Sequence, residues 1–439
     1  MNELPLISGY RPQAPLLVST QGPLSQARFL GQAMVLAQSL PEAGYVLNLC
    51  ESRHAFLLGF AAALLRGQTS LLPPNKTVDT VAAIRGRYRD SYVLSDDAAV
   101  TDGIAVPLDR VCADWADAPP LIPAAQIAAL PFTSGSTGEP LPHAKTWGAL
   151  AIHAGLLSRR LGFDGAHIAA TVPPQHTYGL ETTVMAALAG GAVSHCARPF
   201  FPQDLSPVLG ALPAPRLLVT TPVHLHALVQ ARLRLPPIAG IVSATAPLSV
   251  ELAAAAEDRL GAPVHEIYGS TESGAVATRR TTAGELWQPL PGLTLREHED
   301  GAMVSGPHLG QPIRLADIIE LCEDGRIRLL GRSGDLLKVA GKRMSLAELN
   351  HRLLAIPGVE DGVVFLPEPP DAAAATTTRV IRPAALVVAP TLVEQQILEL
   401  LRHSVDPAFL PRPLRRVARL PRNELGKLPH AALRELLRG

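Results

Sequence analysis

Hydroxyl groups and glycines are concentrated in residues 132–140, whose sequence is Phe-Thr-Ser-Gly-Ser-Thr-Gly-Glu-Pro. The segment follows an apolar run, residues 127–130, that is typical of a buried strand. Glycine lets the main chain turn and approach a ligand closely, and free N–H groups with hydroxyls form a cradle for an anion. We therefore predict a phosphate-binding loop after a strand. The segment lacks the Gly-Lys-Ser/Thr ending of a Walker A loop, and an ordinary polar surface loop is the alternative.

Three further motifs follow in order. They are Tyr-Gly-Ser-Thr-Glu at 268–272, Gly-Arg-Ser-Gly-Asp at 331–335, and a C-terminal group with Pro421, Gly426 and Lys427. Together the four motifs resemble the adenylate-forming ligases, which include acyl- and aryl-CoA synthetases, carrier-protein ligases, adenylation domains and luciferases. The resemblance runs from about residue 129 to about residue 430. It implies ATP-dependent activation of a carboxylic acid to an acyl-adenylate, transfer of the acyl group to a thiol, and ATP and Mg²⁺ as cofactors.

The resemblance also implies a set of nucleotide-binding residues. Those in and after the phosphate loop are Thr133, Ser134, Gly135, Ser136, Thr137, Gly138 and Lys145. Those near the adenine are Ser243, Ala244, Thr245, Ala246, Glu266, Ile267, Tyr268 and Gly269. The family usually has a lysine just after the proline of the loop, where this chain has Leu141, so we interpret Lys145 as its replacement. Ala244 and Thr245 stand where the family has glycines, and their side chains are expected to narrow the acid pocket.

Charged residues complete the implied catalytic site. Glu272 is the candidate magnesium ligand, because a hard cation prefers carboxylate oxygen, and Thr271 is implied to contact the α-phosphate. Asp317 stands at the ribose-binding aspartate, although the usual Thr-Gly-Asp-Leu is Leu-Ala-Asp-Ile here. Two cations, Arg332 and Lys338, are also assigned to the nucleotide.

Lys427 is the implied catalytic lysine. A long, flexible cation can reach both the attacking carboxylate and the α-phosphate. In the resembling family the small C-terminal domain that carries this lysine rotates between the two half-reactions, about a residue just after the Gly-Arg motif. That residue is Gly334 here, and glycine places few restraints on φ and ψ.

The acid pocket is expected near the segment Pro-Pro-Gln-His-Thr-Tyr-Gly at 173–179. His176 is the candidate catalytic residue at its mouth, with a structural histidine as the alternative, and the implied lining residues are Thr177, Tyr178, Ala244 and Gly269. Amino-acid-activating domains carry an aspartate near this position, whereas this chain has Thr177, so an amino-acid substrate is not expected. The hydroxyls of Thr177, Tyr178 and Thr245 suit a hydroxylated aromatic acid.

The acceptor is predicted from length and charge. The compact length and the Gly-Glu-Pro-x-Pro-His-x-Lys-x-Trp sequence at 138–147 resemble the ligases of aryl-polyene pigment clusters, such as those of xanthomonadin biosynthesis. Residues 401–439 contain nine Lys/Arg and three Asp/Glu, a local net charge of +6. We therefore expect transfer to an acidic acyl carrier protein. The alternatives are an aryl- or fatty-acyl-CoA synthetase using free coenzyme A, a non-catalytic nucleotide or acyl-adenylate sensor, and a nucleotide hydrolase.

Composition limits the fold and the location. Alternating helical and strand-like segments predict an α/β fold: a large N-terminal domain of βα layers, residues 1–333, and a small mobile α+β C-terminal domain, residues 334–439. The 439 residues carry zero formal net charge, which argues against general nucleic-acid binding. Neither a signal peptide nor an apolar run of about 18 residues is found. A cytoplasmic protein without stable membrane insertion is expected.

Overall fold

The computed structural model describes residues 2–97, 100, 103–106, 108, 113–134, 140–298, 301–332, 336–339, 342–367, 382–422 and 428–438. The chain divides into two compact units. The first comprises Met1–Gly284, Pro289–Thr294 and Ser305–Ile313, and the second comprises Glu285–Gln288, Leu295–Val304 and Arg314–Gly439. Each unit is described by itself below.

The N-terminal part of the first unit alternates strands and helices. Its elements are β1 (Glu3–Pro5), β2 (Pro15–Ser19), β3 (Gly22–Ser25), α1 (Gln26–Ser39), β4 (Tyr45–Asn48), α2 (Arg53–Leu65), β5 (Thr69–Leu72), α3 (Val78–Arg87), β6 (Ser91–Ser95), β7 (Gly103–Ala105), β8 (Leu121–Pro123), β9 (Ile127–Ser134), β10 (Pro140–Pro142) and β11 (Lys145–Thr146). A seven-stranded sheet has the order β10-β9-β5-β4-β6-β7, with β11 also on β9. Strands β9, β5, β4, β6 and β7 are parallel, as the βα alternation predicts.

The second half of this unit repeats the alternation. Its elements are α4 (Trp147–Leu161), β12 (His167–Ala170), α5 (Thr177–Gly179), a π-helical segment (Leu180–Met185), α6 (Ala186–Leu188), β13 (Val193–His195), α7 (Leu205–Gly210), β14 (Arg216–Thr220), α8 (Pro222–Ala231), β15 (Gly240–Ser243), α9 (Val250–Leu260), β16 (Val264–Ser270), β17 (Gly274–Arg280) and β18 (Gln288–Pro289). Short 3₁₀ turns lie at Pro202–Asp204 and Thr281–Ala283. Strands β12 to β18, together with β2 and β3 from the N-terminal part, form a nine-stranded sheet. Its order is β18-β17-β16-β15-β14-β12-β13-β2-β3.

Local sequence explains where the main helices begin and end. The hydroxyl of Thr146 accepts a hydrogen bond from the N–H of Ala149 at the start of α4, and Gly162 ends that helix in the left-handed conformation. Ser249 and Gly261 have the same roles in α9. Buried aliphatic side chains from α1, α2 and α4 pack around the first sheet, and those from α7, α8 and α9 pack on one face of the second.

The second unit is mainly antiparallel sheet and helix. Its elements are β19 (Thr294–His298), β20 (Gly301–Ser305), β21 (Ile313–Leu315), β22 (Asp317–Leu321), β23 (Ile327–Arg332), β24 (Leu336–Val339), β25 (Lys342–Ser345), α10 (Leu346–Leu354), β26 (Asp361–Phe365), β27 (Ala384–Val388), α11 (Glu394–Arg402), β28 (Leu414–Arg416) and α12 (His430–Arg438), with a 3₁₀ turn at Pro407–Phe409. A turn at 323–325 joins β22 to β23, and Gly325 there has a φ of +79°. The predicted α/β class is confirmed.

Candidate active site

A β-hairpin holds the two ends of the predicted phosphate loop side by side. Strand β10 runs antiparallel to β9, and Ser134 pairs with Pro140 across the hairpin. The connecting residues Gly135, Ser136, Thr137, Gly138 and Glu139 lie outside the described residues. The phosphate-binding role of these residues stays a prediction.

His143 connects Thr133 to Glu272. Its Nε2 lies 3.0 Å from Oγ1 of Thr133 and 3.5 Å from Oε1 of Glu272. Sequence reasoning did not assign His143 a role. The one feature of the sequence that could have indicated a role is that His143 stands two residues before Lys145. Only the fold shows that His143 lies between Thr133 and Glu272.

Glu272 lies on a short turn between β16 and β17. The hydroxyls of Ser270 and Ser273, 3.0 Å apart, hydrogen-bond across this turn. Burial raises the pKa of the Glu272 carboxyl, but hydrogen bonds from its own main chain and Ser270, with the charges of His143 and Lys145, outweigh it and leave the pKa below its ordinary value. The carboxylate is thus ionised at neutral pH and 44% exposed, and it can receive a cation.

Lys145 contacts the same turn. Its Nζ donates a hydrogen bond to the main-chain oxygen of Glu272 over 2.6 Å. Burial is the main cause that lowers the pKa of Lys145, while the charges of Glu181 and Glu272 oppose it. Thr133, Lys145 and Glu272, which were predicted from separate motifs, therefore meet at one place in the first unit.

The predicted adenine-side residues lie at the carboxyl ends of β15 and β16. Ser243 ends β15 and is fully buried, and its hydroxyl has no protein partner. Thr245 has a φ of +83°, a left-handed conformation that is strained for a β-branched residue. Ala244 is buried and Ala246 half-buried. Strained backbone at such a sheet edge is common in ligand sites.

The predicted motif strand β16 is shaped by Gly269. A Cβ at Gly269 would lie 2.2 Å from the main-chain oxygen of Gly274, so the close approach of β16 and β17 requires glycine here. The strand is irregular between Tyr268 and Gly269. Ile267 and Tyr268 are half-buried, and Thr271 follows on the turn.

Glu266 differs from the prediction that it binds the nucleotide. Its Oε1 accepts from the N–H of Leu248, and its Oε2 accepts from the hydroxyl of Thr281 and the guanidinium of Arg279. The side chain is 4% exposed. Because the carboxylate oxygens are used within the protein, Glu266 fixes the start of α9 and the end of β17.

The hydroxyl of Tyr178 also bonds within the protein. Its hydroxyl donates to the main-chain oxygens of Thr220, at 3.0 Å, and Val242, at 2.9 Å. The one hydrogen of this hydroxyl is therefore used at the ends of β14 and β15, and the predicted lining role of Tyr178 stays a prediction. His176 and Thr177 are half-buried at the start of α5.

The predicted ribose residues lie in the second unit. Asp317 pairs with Arg332 across the antiparallel strands β22 and β23, so residues assigned from two motifs are direct neighbours. Lys338 lies on β24. Gly334 and Lys427 lie outside the described residues, and their hinge and catalytic roles remain predictions.

Comparison with known proteins decides the family. The model of the family described as AMP-binding enzyme matches residues 34–339, well over half of the chain. The chain belongs to the AMP-binding enzyme family. The predicted membership of the adenylate-forming superfamily is confirmed. The match ends before Lys427, so this residue is assigned from sequence motifs alone.

Two 4-coumarate–CoA ligases are similar in sequence to this AMP-binding enzyme. The one from Rhodobacter capsulatus is 33% identical over 242 residues, which cover 52% of this chain and 58% of the relative. The one from Halorhodospira halophila is 29% identical over 310 residues, covering 67% and 73%. The chain thus matches little more than half the length of the first relative.

A solved structure covers the whole AMP-binding chain. The o-succinylbenzoate CoA synthetase of Bacillus subtilis, in complex with its acyl-adenylate intermediate, has a TM-score of 0.82 at 19% identity and covers 100% of this chain and 99% of its own. MatB of Rhodopseudomonas palustris, bound to ATP, has a TM-score of 0.76 at 21% identity, covering 97% and 96%. These similarities confirm the predicted fold.

ATP and Mg²⁺ fit the residues of this AMP-binding site. Among the described residues, no group of three or more His, Cys, Asp or Glu side chains could hold a metal ion. Mg²⁺ commonly takes one or two protein carboxylates and completes its coordination with water and substrate phosphates. The single exposed carboxylate of Glu272 suits that arrangement, with Lys145 beside it to offset phosphate charge. ATP and Mg²⁺ are the cofactors of the family.

A cavity of about 400 Å³ beneath Lys145 and Glu272 was not predicted from the sequence. Its walls include three buried titratable residues, His153, Glu181 and His308. They come from α4, the π-helical segment and the chain after β20. In the part of the chain that the structure describes, no helix is long and apolar enough to cross a membrane.

Proposed function

We propose that this AMP-binding enzyme is an acid–thiol ligase that converts an aromatic, hydroxybenzoic acid to its acyl-adenylate and transfers the acyl group to the phosphopantetheine thiol of an acyl carrier protein. The observation that carries the ligase assignment is the convergence of Thr133, His143, Lys145 and Glu272 in the first unit. An ionised carboxylate beside a lysine suits a metal–triphosphate complex. The relatives named 4-coumarate–CoA ligase support an aromatic acid.

Acid-dependent exchange of pyrophosphate into ATP tests the ligase assignment. The panel should contain hydroxybenzoates, cinnamates and fatty acids. We expect exchange with a hydroxybenzoate above the other acids. Release of phosphate without exchange would identify a hydrolase, binding of ATP with no turnover would identify a sensor, and a preference for fatty acids would reject the aromatic substrate.

The surface of the second unit supports the carrier-protein acceptor. Arg412, Arg415 and Arg419 are exposed near β28. They stand in the basic C-terminal segment, and carrier proteins present acidic helices around their thiol, so opposite charges would speed encounter.

Two arginines of the basic segment are unsuitable for a test that removes surface charge, because they bond within the second unit. Arg416 donates to the main-chain oxygen of Leu392 over 2.6 Å and lies 3.6 Å from a carboxylate oxygen of Glu394. Arg422 donates to both carboxylate oxygens of Asp361. Because these two side chains make hydrogen bonds or ion pairs within the second unit, changing them would alter its structure as well as its charge.

The double variant Arg415→Gln/Arg419→Gln tests the acceptor. We expect slower transfer to an acyl carrier protein, an effect that weakens as salt rises because the Debye length is about 10 Å at 0.1 M. Pyrophosphate exchange should be unchanged. The control is Arg159→Gln/Arg259→Gln, which removes the same charge from exposed positions of the first unit.

Free coenzyme A is the second candidate acceptor, and the names of the two relatives favour it. The apparent kcat/KM for coenzyme A and for carrier protein, measured at low and high salt, separates the two. A higher kcat/KM for coenzyme A, or normal carrier-protein transfer by the Arg415/Arg419 variant, would identify an aryl-CoA synthetase instead.

A further inference from the structure

Three titratable side chains besides Lys145 and Glu272 line the cavity of about 400 Å³. His153 is 3% exposed, Glu181 5% and His308 8%. Glu181 lies in the π-helical segment, a feature that often occurs at functional sites. The phosphate-binding and metal-binding roles proposed above use none of these three side chains.

The side chains of His153 and Glu181 are in contact in this cavity. Nε2 of His153 lies 3.0 Å from the main-chain oxygen of Ala275 and must donate to it, since a carbonyl only accepts. The other ring nitrogen, Nδ1, lies 3.4 Å from Oε1 of Glu181. Facing lone pairs on these two atoms would repel, which favours the form in which Glu181 carries a proton. The pair is neutral overall while it holds this proton and carries one negative charge without it.

Burial decides where this proton lies. It raises the pKa of Glu181 to about 7 and lowers that of His153 to about 4, because a low-dielectric site disfavours both charged forms. The charges of Lys145 and His308 are smaller influences that lower the pKa of Glu181. The protonated pair is therefore a carboxylic acid beside a neutral imidazole, and it becomes anionic as the pH rises through neutrality.

Gly274 makes room for this arrangement. It has a φ of +70°, and a Cβ there would lie 2.6 Å from Oε1 of Glu181 and 3.0 Å from Cε1 of His153. Gly274 is two residues from Glu272, so the pair is packed directly behind the turn that carries the candidate metal ligand.

His308 adds no positive charge to the cavity near neutral pH. Its ring centroid lies 4.5 Å from that of His153, and its Nε2 lies 3.0 Å from the main-chain oxygen of Ser273. Its Nδ1 is buried without a protein partner. Burial and the neighbouring His153 lower the pKa of His308 to about 4. Lys145 is thus the one permanent cation among the cavity-lining residues, all of which are described.

We propose that Glu181 and His153 are positioning residues that control Lys145: their neutral form leaves the ammonium available to the phosphates of ATP, and their anionic form holds and neutralises it. The proposal rests on the phosphate-binding role of Lys145. Glu181 and Lys145 line the same cavity, and the charge of an ionised Glu181 raises the pKa of Lys145. ATP binding should therefore weaken as the pair loses its proton.

Glu181→Gln tests the proposal, because an amide can donate to Nδ1 of His153 but stays neutral at every pH. The Kd for ATP with Mg²⁺ is measured by calorimetry on both full-length proteins from about pH 6 to about pH 8.5, which spans neutrality. The γ-phosphate titrates in the same range, so the relevant quantity is the ratio of the wild-type Kd to the variant Kd. We expect this ratio to rise about fivefold with pH, as for a modest coupling between sites.

Proton uptake gives a second measurement that needs no Glu181 variant. Near neutral pH, ATP binding should draw a proton onto the pair in the wild type. Calorimetry in buffers of different ionisation enthalpy detects that uptake. It should be smaller in Lys145→Met, where no ammonium links the phosphates to the pair.

Lys145→Met also provides the matched background. In this background, Glu181→Gln should no longer change the pH dependence of the Kd. Three results would each overturn the proposal. The first is a Kd ratio that is constant with pH, and the second is a pH-dependent Kd ratio that persists in Lys145→Met. The third is equal proton uptake by the wild type and Lys145→Met. Normal ATP affinity of Lys145→Met would contradict the phosphate-binding role of Lys145, on which the proposal rests. Pyrophosphate exchange on the same samples tests the ligase assignment separately.

Discussion

Lys145 and Glu272 are 127 residues apart in the sequence, yet the ammonium of Lys145 donates to the main-chain oxygen of Glu272 over 2.6 Å. This hydrogen bond joins the strand after the phosphate loop to the turn that carries the candidate metal ligand. The side chain of Glu272 lies 3.5 Å from Nε2 of His143 and is 44% exposed. The charges of Lys145 and Glu272 interact, since Lys145 helps to lower the pKa of the Glu272 carboxyl. The exposed carboxylate and the neighbouring ammonium together suit a metal–triphosphate complex.

Lys145→Ala should weaken ATP binding about tenfold, which corresponds to about 1.4 kcal/mol. The expected cause is the loss of one cation beside the β- and γ-phosphates. AMP lacks these groups, so its affinity should stay the same, and Lys145→Arg should retain most of the ATP affinity. Equal weakening for ATP and AMP, measured by calorimetry, would place Lys145 elsewhere in the site.

Glu266→Gln should destabilise the first unit rather than weaken nucleotide contacts. The substitution removes the charge that pairs with Arg279, and breaking a buried pair costs about 3 kcal/mol. Urea unfolding measures this loss. The exposed Glu251→Gln on α9 is the control, with a change within about 0.5 kcal/mol. Normal stability together with weaker ATP binding would restore the nucleotide-binding role predicted from the sequence.

Lys427→Ala should slow adenylation by a factor of about 10²–10³, since one preorganised charge contact contributes about 3–4 kcal/mol to such a step. Thioester formation from preformed acyl-adenylate should largely survive. The two half-reactions are followed separately, by pyrophosphate exchange and by thioester release. A similar loss in both would rule out Lys427 as the lysine specific to adenylation.

Gly334→Pro should impair one half-reaction far more than the other. Proline restricts φ to about −65°, which would hold the two domains in one orientation if Gly334 is the hinge. Gly334→Ala is the control that adds a side chain without fixing φ. Wild-type rates for both half-reactions in the proline variant would place the hinge at another residue.

Local patterns determined much of the fold. Residue types next to α4 explain its bounds at 147–161, because Thr146 caps its start and Gly162 ends it. The same holds for α9 between Ser249 and Gly261. Short motifs also predicted roles for Thr133, Lys145 and Glu272, because each motif places particular residue types near one another in the chain.

Tertiary structure alone decided which side chains meet and which oxygens remain free. His153, Glu181 and His308 have no common spacing, and they form a cluster only because α4, the π-helical segment and the chain after β20 pack around one cavity. Glu266 and Tyr178 have residue types suited to ligand binding, but neighbouring strands and helices use their polar atoms. A hydrogen bond depends on positions in space, and residues more than a hundred positions apart acquire those positions only when the sheets assemble.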